Sequence, residues 1–276
     1  MPDSRPTPRP RLRTSVRTAP SAAPDRRTAT NDRRPATFGW VTITISTPDG
    51  PIDALLSTPT GSGPWPGVVI IHDAIGYGPD NELVSERVAQ AGYLAITPNL
   101  YSRGGRARCI TRMFRDLLTQ RGRALDDILA ARDHLKSLPE CTGTVGVVGF
   151  CSGGQFALIM GPKGFAASAP FYGTPLPRHL DRTLDASCPI VASFGRRDPL
   201  GIGAPARLRR VVEAKNIPAD IKVYPSAGHS FANILPAQPL LRVTGFGYDE
   251  AATTDAWTRV FAFFDEHLKP KTAGQA

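Results

Sequence analysis

Residues 145–160 read VGVVGFCSGGQFALIM: an apolar run, a cysteine among glycines, then a second apolar run. The first run predicts a buried strand and the second a helix. Between them, Gly149-Phe150-Cys151-Ser152-Gly153 is Gly-x-nucleophile-x-Gly, the pattern of a sharp strand-to-helix turn. Side chains two positions either side of the centre would clash in so tight a turn, hence Gly149 and Gly153. Cys151 then projects above the sheet, and the N–H of Ser152 points from the helix N-terminus. That end favours a thiolate and a developing oxyanion. A small core cysteine in an ordinary turn is the plainer alternative, and it does not need glycine on both sides. Ser152, the neighbouring hydroxyl, stands one residue off the centre and is read as an N–H donor.

The rest of the chain alternates strands with helices from residue 38 onward. Strands are expected at 40–46, 52–58, 67–73, 93–98, 144–150, 165–173, 189–195 and 220–225. Helices are expected at 80–91, over 111–138 with a break near Gly122, from Gly153, near 204–215 and over 250–268. Such alternation predicts an α/β fold, a mostly parallel sheet covered by helices on both faces, with function at the carboxyl ends of the strands. The expected domain spans 37–270.

Ahead of it lies a different composition. Residues 1–36 hold nine Arg, three Asp and seven Pro, with no Lys or Glu, so +6 of the formal net charge of +9 sits there. With almost no large apolar residues, this segment is expected to be a disordered basic tail. The remaining chain is only about +3, so no nucleic-acid surface is expected on the folded body. No run reaches the roughly 18 apolar residues of a membrane span. Four cysteines (109, 141, 151 and 188), without CxxC or paired Cys/His spacing, argue against a disulfide framework or a metal site. No metal and no cofactor are expected. A reducing, cytoplasmic setting fits best, with the protein a monomer or small homo-oligomer.

A nucleophilic cysteine needs a base and an acid that orients it. FGRRDPL places Asp198 just beyond the strand at 189–195, and PSAGHSF places His229 just beyond that at 220–225. Both fall on the edge that carries Cys151, in the chain order nucleophile, acid, histidine. His72 also ends a strand and could touch the pocket, but it precedes the nucleophile. His134, His179 and His267 fall in helices and loops.

HDAIG (72–76), TPNLYSR (97–103), GFCSGG (149–154), GRRDPL (195–200) and AGHSFAN (227–233) together resemble the dienelactone hydrolase family, within the α/β-hydrolase fold, over about 40–268. The resemblance implies Cys151 as nucleophile, His229 as base and Asp198 as its partner. It implies a second oxyanion N–H at Ala74, beside Ser152. It also implies substrate contacts at Asp73, where the family usually has Glu, and at Arg103, which matches an arginine that binds the substrate carboxylate. At Asn233 the family has a second arginine. The implied activity is hydrolysis of a small-molecule lactone or ester, with an anionic substrate if Arg103 acts as a clamp. Two other readings stay open: a general carboxylesterase or thioesterase, and a non-hydrolytic thiol redox sensor or binding module. A sensor would have no need of the Asp198–His229 pair.

Overall fold

A computed structural model describes residues 39–234 and 244–270. The basic segment 1–36 lies outside the described residues. Eight strands form one sheet in the order β1-β2-β4-β3-β5-β6-β7-β8. They are β1 (Trp40–Ile45), β2 (Ile52–Ser57), β3 (Trp65–Ile71), β4 (Leu94–Pro98), β5 (Cys141–Phe150), β6 (Ser168–Phe171), β7 (Ile190–Gly195) and β8 (Ala219–Tyr224). β1 and β2 pair antiparallel, β2 joins β4 antiparallel, and every pairing from β4 to β8 is parallel.

The helices are α1 (Pro79–Gln90), α2 (Arg106–Thr119), α3 (Arg123–Ser137), α4 (Ser152–Met160), α5 (Leu180–Thr183), α6 (Ala204–Ala214) and α7 (Glu250–Leu268). They cover both faces, and the continuous apolar runs of the strands follow from that. In β3, Val68 and Ile70 pack in one core with Val84 and Val88 of α1 and Trp257 and Phe264 of α7. Val69 and Ile71, pointing the other way, pack in a second core with Met113 of α2, Ile128 of α3 and Phe156 of α4. β5 divides in the same manner, Val148 and Phe150 to one side, Val145 and Val147 to the other. A strand buried on both faces has no polar side to alternate.

Several boundaries differ from expectation: β3 begins at Trp65 rather than 67, β5 begins at Cys141 rather than 144, and β6 is Ser168–Phe171 rather than 165–173. β3 stops at Ile71, because His72 turns its Nδ1 onto the carbonyl of Asp73 at 2.8 Å and the chain leaves the ladder. The long helical region begins at Arg106, earlier than its periodicity indicated, and splits as expected. Gln120 ends α2 in the left-handed region (φ 53°) and Gly122 takes φ 118°. A Cβ on Gly122 would lie 2.4 Å from Asp116 Oδ1, the carboxylate whose Oδ2 accepts the Ala124 N–H that opens α3.

Candidate functional site

The parallel strands bring their carboxyl ends to one edge, and five connections meet there. Cys151 follows β5, the Asp73–Gly76 loop follows β3, Tyr172 follows β6, Asp198 follows β7 and His229 follows β8.

At the elbow, Cys151 adopts φ 53° and ψ −116° as the N-cap of α4, a conformation that costs a non-glycine residue about 1–3 kcal/mol. Its neighbours explain how it persists. A Cβ on Gly149 would lie 2.1 Å from the Gly153 carbonyl oxygen, and one on Gly153 would lie 2.2 Å from that of Ile71. Gly154 would meet the Phe171 carbonyl at 2.7 Å. These obstacles are backbone atoms, which cannot step aside as a side-chain tip can. The Cys151 N–H also donates to the Phe171 carbonyl at 3.1 Å, tying the turn to β6.

His229 is almost fully buried, and its Nδ1 donates to Asp198 Oδ2 at 2.9 Å. Asp198 is fixed in turn. The Thr174 hydroxyl donates to Oδ2 at 3.1 Å, and the Leu200 N–H donates to Oδ1 at 2.8 Å. The backbone of His229 is held as firmly, its N–H on the Gly245 carbonyl at 2.7 Å and its carbonyl accepting from the Gly247 N–H at 3.0 Å. Nε2 is buried with no geometrically complete hydrogen bond. The group that acts on it is the Cys151 thiol. Burial opposes charging this imidazole. The Asp198 hydrogen bond, then that of Cys151, then the charges on both, outweigh burial and raise His229 to about 9. The structure therefore brings Cys151, His229 and Asp198 together.

The oxyanion candidates are Ala74, in the loop after β3, and Ser152, the first residue of α4. Around Ala74 the loop is largely satisfied. Asp73 Oδ1 accepts the Ile75 N–H at 2.8 Å, the Gly76 N–H donates to the Asp73 carbonyl at 3.1 Å, and the Tyr101 hydroxyl donates to the Ala74 carbonyl at 3.0 Å. Among the described residues, no acceptor takes the N–H of Ala74 or of Ser152. The Ser152 hydroxyl is buried without a partner.

The remaining expected contacts all have partners within the chain. Arg103 is engaged on two sides. Its Nη2 lies 2.6 Å from both oxygens of the buried Asp127, and its Nη1 donates to Thr47 Oγ1 and the Gly50 carbonyl. It joins the β1–β2 turn to α3. Asn233 accepts from the Tyr172 hydroxyl and donates to Asp80, so it links β6 to the start of α1. Asp73 turns onto its own loop. Burial raises its pKa, against the lowering effect of its backbone hydrogen bonds. His72 is fully buried, and burial lowers it to about 4 against the raising effect of its hydrogen bond to the Asp73 carbonyl.

Tyr101, Tyr172 and Thr174 were not singled out from the sequence. Tyr172 packs on the His229 ring at 5.1 Å between centroids. The only available signal was position: Tyr172 and Thr174 follow β6, and Tyr101 follows β4, all on the same edge.

The family model for the dienelactone hydrolase family matches residues 52–268. The chain belongs to the dienelactone hydrolase family. A carboxymethylenebutenolidase from Rhodococcus opacus is 29% identical over 235 residues, 80% of this chain and 86% of that protein. Protein usf of Aquifex pyrophilus is also 29% identical, over 77% of this chain and 92% of its own. Among solved structures, the fold is shared with a dienelactone hydrolase-like promiscuous phosphotriesterase, P91, from metagenomic libraries (TM-score 0.70, 22% identity, covering 83% of this chain and 99% of that one). A dienelactone hydrolase from Anabaena variabilis shares it too (TM-score 0.61, 20% identity, covering 84% of this chain and 99% of that one). As a member of this family the chain is a hydrolase. No helix among the described residues is long and apolar enough to cross a membrane.

Proposed function

We propose that this dienelactone hydrolase family member cleaves a small-molecule carboxylic ester or lactone through a covalent acyl-cysteine. The observation that carries the reading is the pairing of Cys151, held at φ 53° on a turn only glycines can flank, with His229, whose far nitrogen rests 2.9 Å from Asp198.

In the proposed sequence His229 Nε2 takes the Cys151 proton and the thiolate attacks the ester carbonyl. The negative oxygen is received by the unpartnered N–H groups of Ala74 and Ser152. The intermediate collapses, and the imidazolium returns the proton to the departing alkoxide. Water, deprotonated by His229, then attacks the acyl-cysteine, and the thiolate leaves. Asp198 keeps the Nδ1 proton in place, so that Nε2 faces the thiol. No metal or organic cofactor enters these steps. The four cysteines are free thiols, which suits a reducing compartment such as the cytoplasm.

With Arg103 paired to Asp127, the reading puts no weight on a carboxylate in the substrate. The test is a panel of matched neutral and anionic aryl esters, lactones and thioesters, each assayed before and after iodoacetamide. Turnover that is lost in step with Cys151 alkylation is the expected result. Full turnover by alkylated enzyme would overturn the proposal.

A further inference from the structure

His72 is a fully buried histidine outside the Cys151–His229–Asp198 group, and both of its nitrogens are occupied. The Leu100 N–H donates to Nε2 at 3.3 Å, so that nitrogen is an acceptor. The proton of the neutral ring is therefore on Nδ1, which donates to the Asp73 carbonyl at 2.8 Å. That carbonyl shares a peptide plane with the Ala74 N–H, and across a trans peptide the two point in opposite directions. Gripping the oxygen thus aims the N–H.

A second grip acts on the next peptide, where the Tyr101 hydroxyl holds the Ala74 carbonyl at 3.0 Å. The two gripping side chains brace each other, with the Tyr101 ring edge-on to His72 at 5.0 Å. A Cβ on Gly76 would lie 2.6 Å from the Tyr101 ring, so the loop closes tightly around the tyrosine. The loop leaves β3 against the elbow: a Cβ on Gly153 would meet the carbonyl oxygens of Ile71 at 2.2 Å and His72 at 2.7 Å.

We infer that His72, braced by Tyr101, is a positioning residue for oxyanion stabilisation: it holds the Asp73–Ala74 peptide so that the Ala74 N–H faces the carbonyl oxygen of a substrate attacked by Cys151. This rests on the ester-hydrolase reading above. It assigns His72 no proton-transfer step.

The test compares ester turnover with alkylation of Cys151 by iodoacetamide, a displacement that forms no oxyanion. His72→Leu, His72→Asn and Tyr101→Phe are each measured both ways in the full chain. Removing an oxyanion donor outright costs ~10²–10³ in turnover, and misaiming one should cost about 10- to 100-fold. His72→Leu should lose that much kcat with little change in KM, while its alkylation rate stays within about 2-fold of wild type. His72→Asn, whose amide can donate to the same carbonyl, should recover most of the turnover. Tyr101→Phe should fall between wild type and His72→Leu. Wild-type kcat in His72→Leu would overturn the inference, as would equal loss of turnover and alkylation. A folded His72→Asn no better than His72→Leu would also overturn it. If the wild type hydrolyses no ester while its thiol alkylates normally, the ester-hydrolase reading itself fails, and this inference with it.

Discussion

At the scale of single residues, Cys151 and Ser152 are adjacent and have opposite expected fates. Cys151→Ala should lower turnover by about 10³-fold or more with the fold intact. Ser152→Ala should stay within about 3-fold of wild type, because its hydroxyl is buried without a partner and only its N–H is used. Assays of both variants on one aryl ester check the assignment; an inactive Ser152→Ala would contradict it. Arg103 shows where sequence stops short. TPNLYSR places it on the functional edge, but nothing in that string announces Asp127, 24 positions away, which claims the guanidinium. Removing one member of a buried ion pair costs about 3–5 kcal/mol. Arg103→Ala should therefore appear as a lowered Tm, with the ratio of anionic to neutral ester turnover unchanged. A selective loss on anionic esters at normal Tm would restore the clamp.

At the scale of elements, the elbow was the most legible part of the chain. Gly149, Cys151 and Gly153 carry a steric requirement that survives without coordinates, and in the structure backbone oxygens stand 2.1 and 2.2 Å from where a Cβ on either glycine would sit. Placing Asp198 and His229 beyond β7 and β8 followed from strand periodicity alone. The grip of Tyr101 and His72 on the Ala74 loop was not legible, because it depends on which way two peptide planes face. The glycines of β5 and the start of α4 offer a contrast to measure. At Gly146 a Cβ would meet the tip of Leu268 at 2.8 Å, a flexible side chain at the end of α7. Gly146→Ala should cost about 1–3 kcal/mol. Gly149→Ala and Gly153→Ala should exceed about 4 kcal/mol or fail to fold. Denaturant midpoints that rank the three alike would contradict the steric account of the elbow.

For the whole molecule, the two buried histidines have opposite effects on stability across pH. His72 falls from 6.5 unfolded to about 4 folded, because burial disfavours its charge. The unfolded chain binds that proton more tightly, so the contribution is complete above pH 6.5 and is lost as pH drops toward 4. The loss is about 3 kcal/mol at 1.36 kcal/mol per unit. His229 rises to about 9 against its burial, through Asp198 and Cys151. Its contribution is complete below pH 6.5 and is lost as pH climbs through 9. Stability should decline on both sides of a maximum near neutrality. His72→Asn should flatten the acid side in urea titrations, and an unchanged acid slope would remove His72 as its source. The central claim, a covalent acyl group on Cys151, is tested most directly by rapid-quench intact-mass spectrometry during turnover of an aryl ester, followed by peptide mapping. The account predicts a transient acyl adduct on Cys151 that is absent from Cys151→Ala. An adduct on Ser152, or turnover that survives in Cys151→Ala, would contradict it.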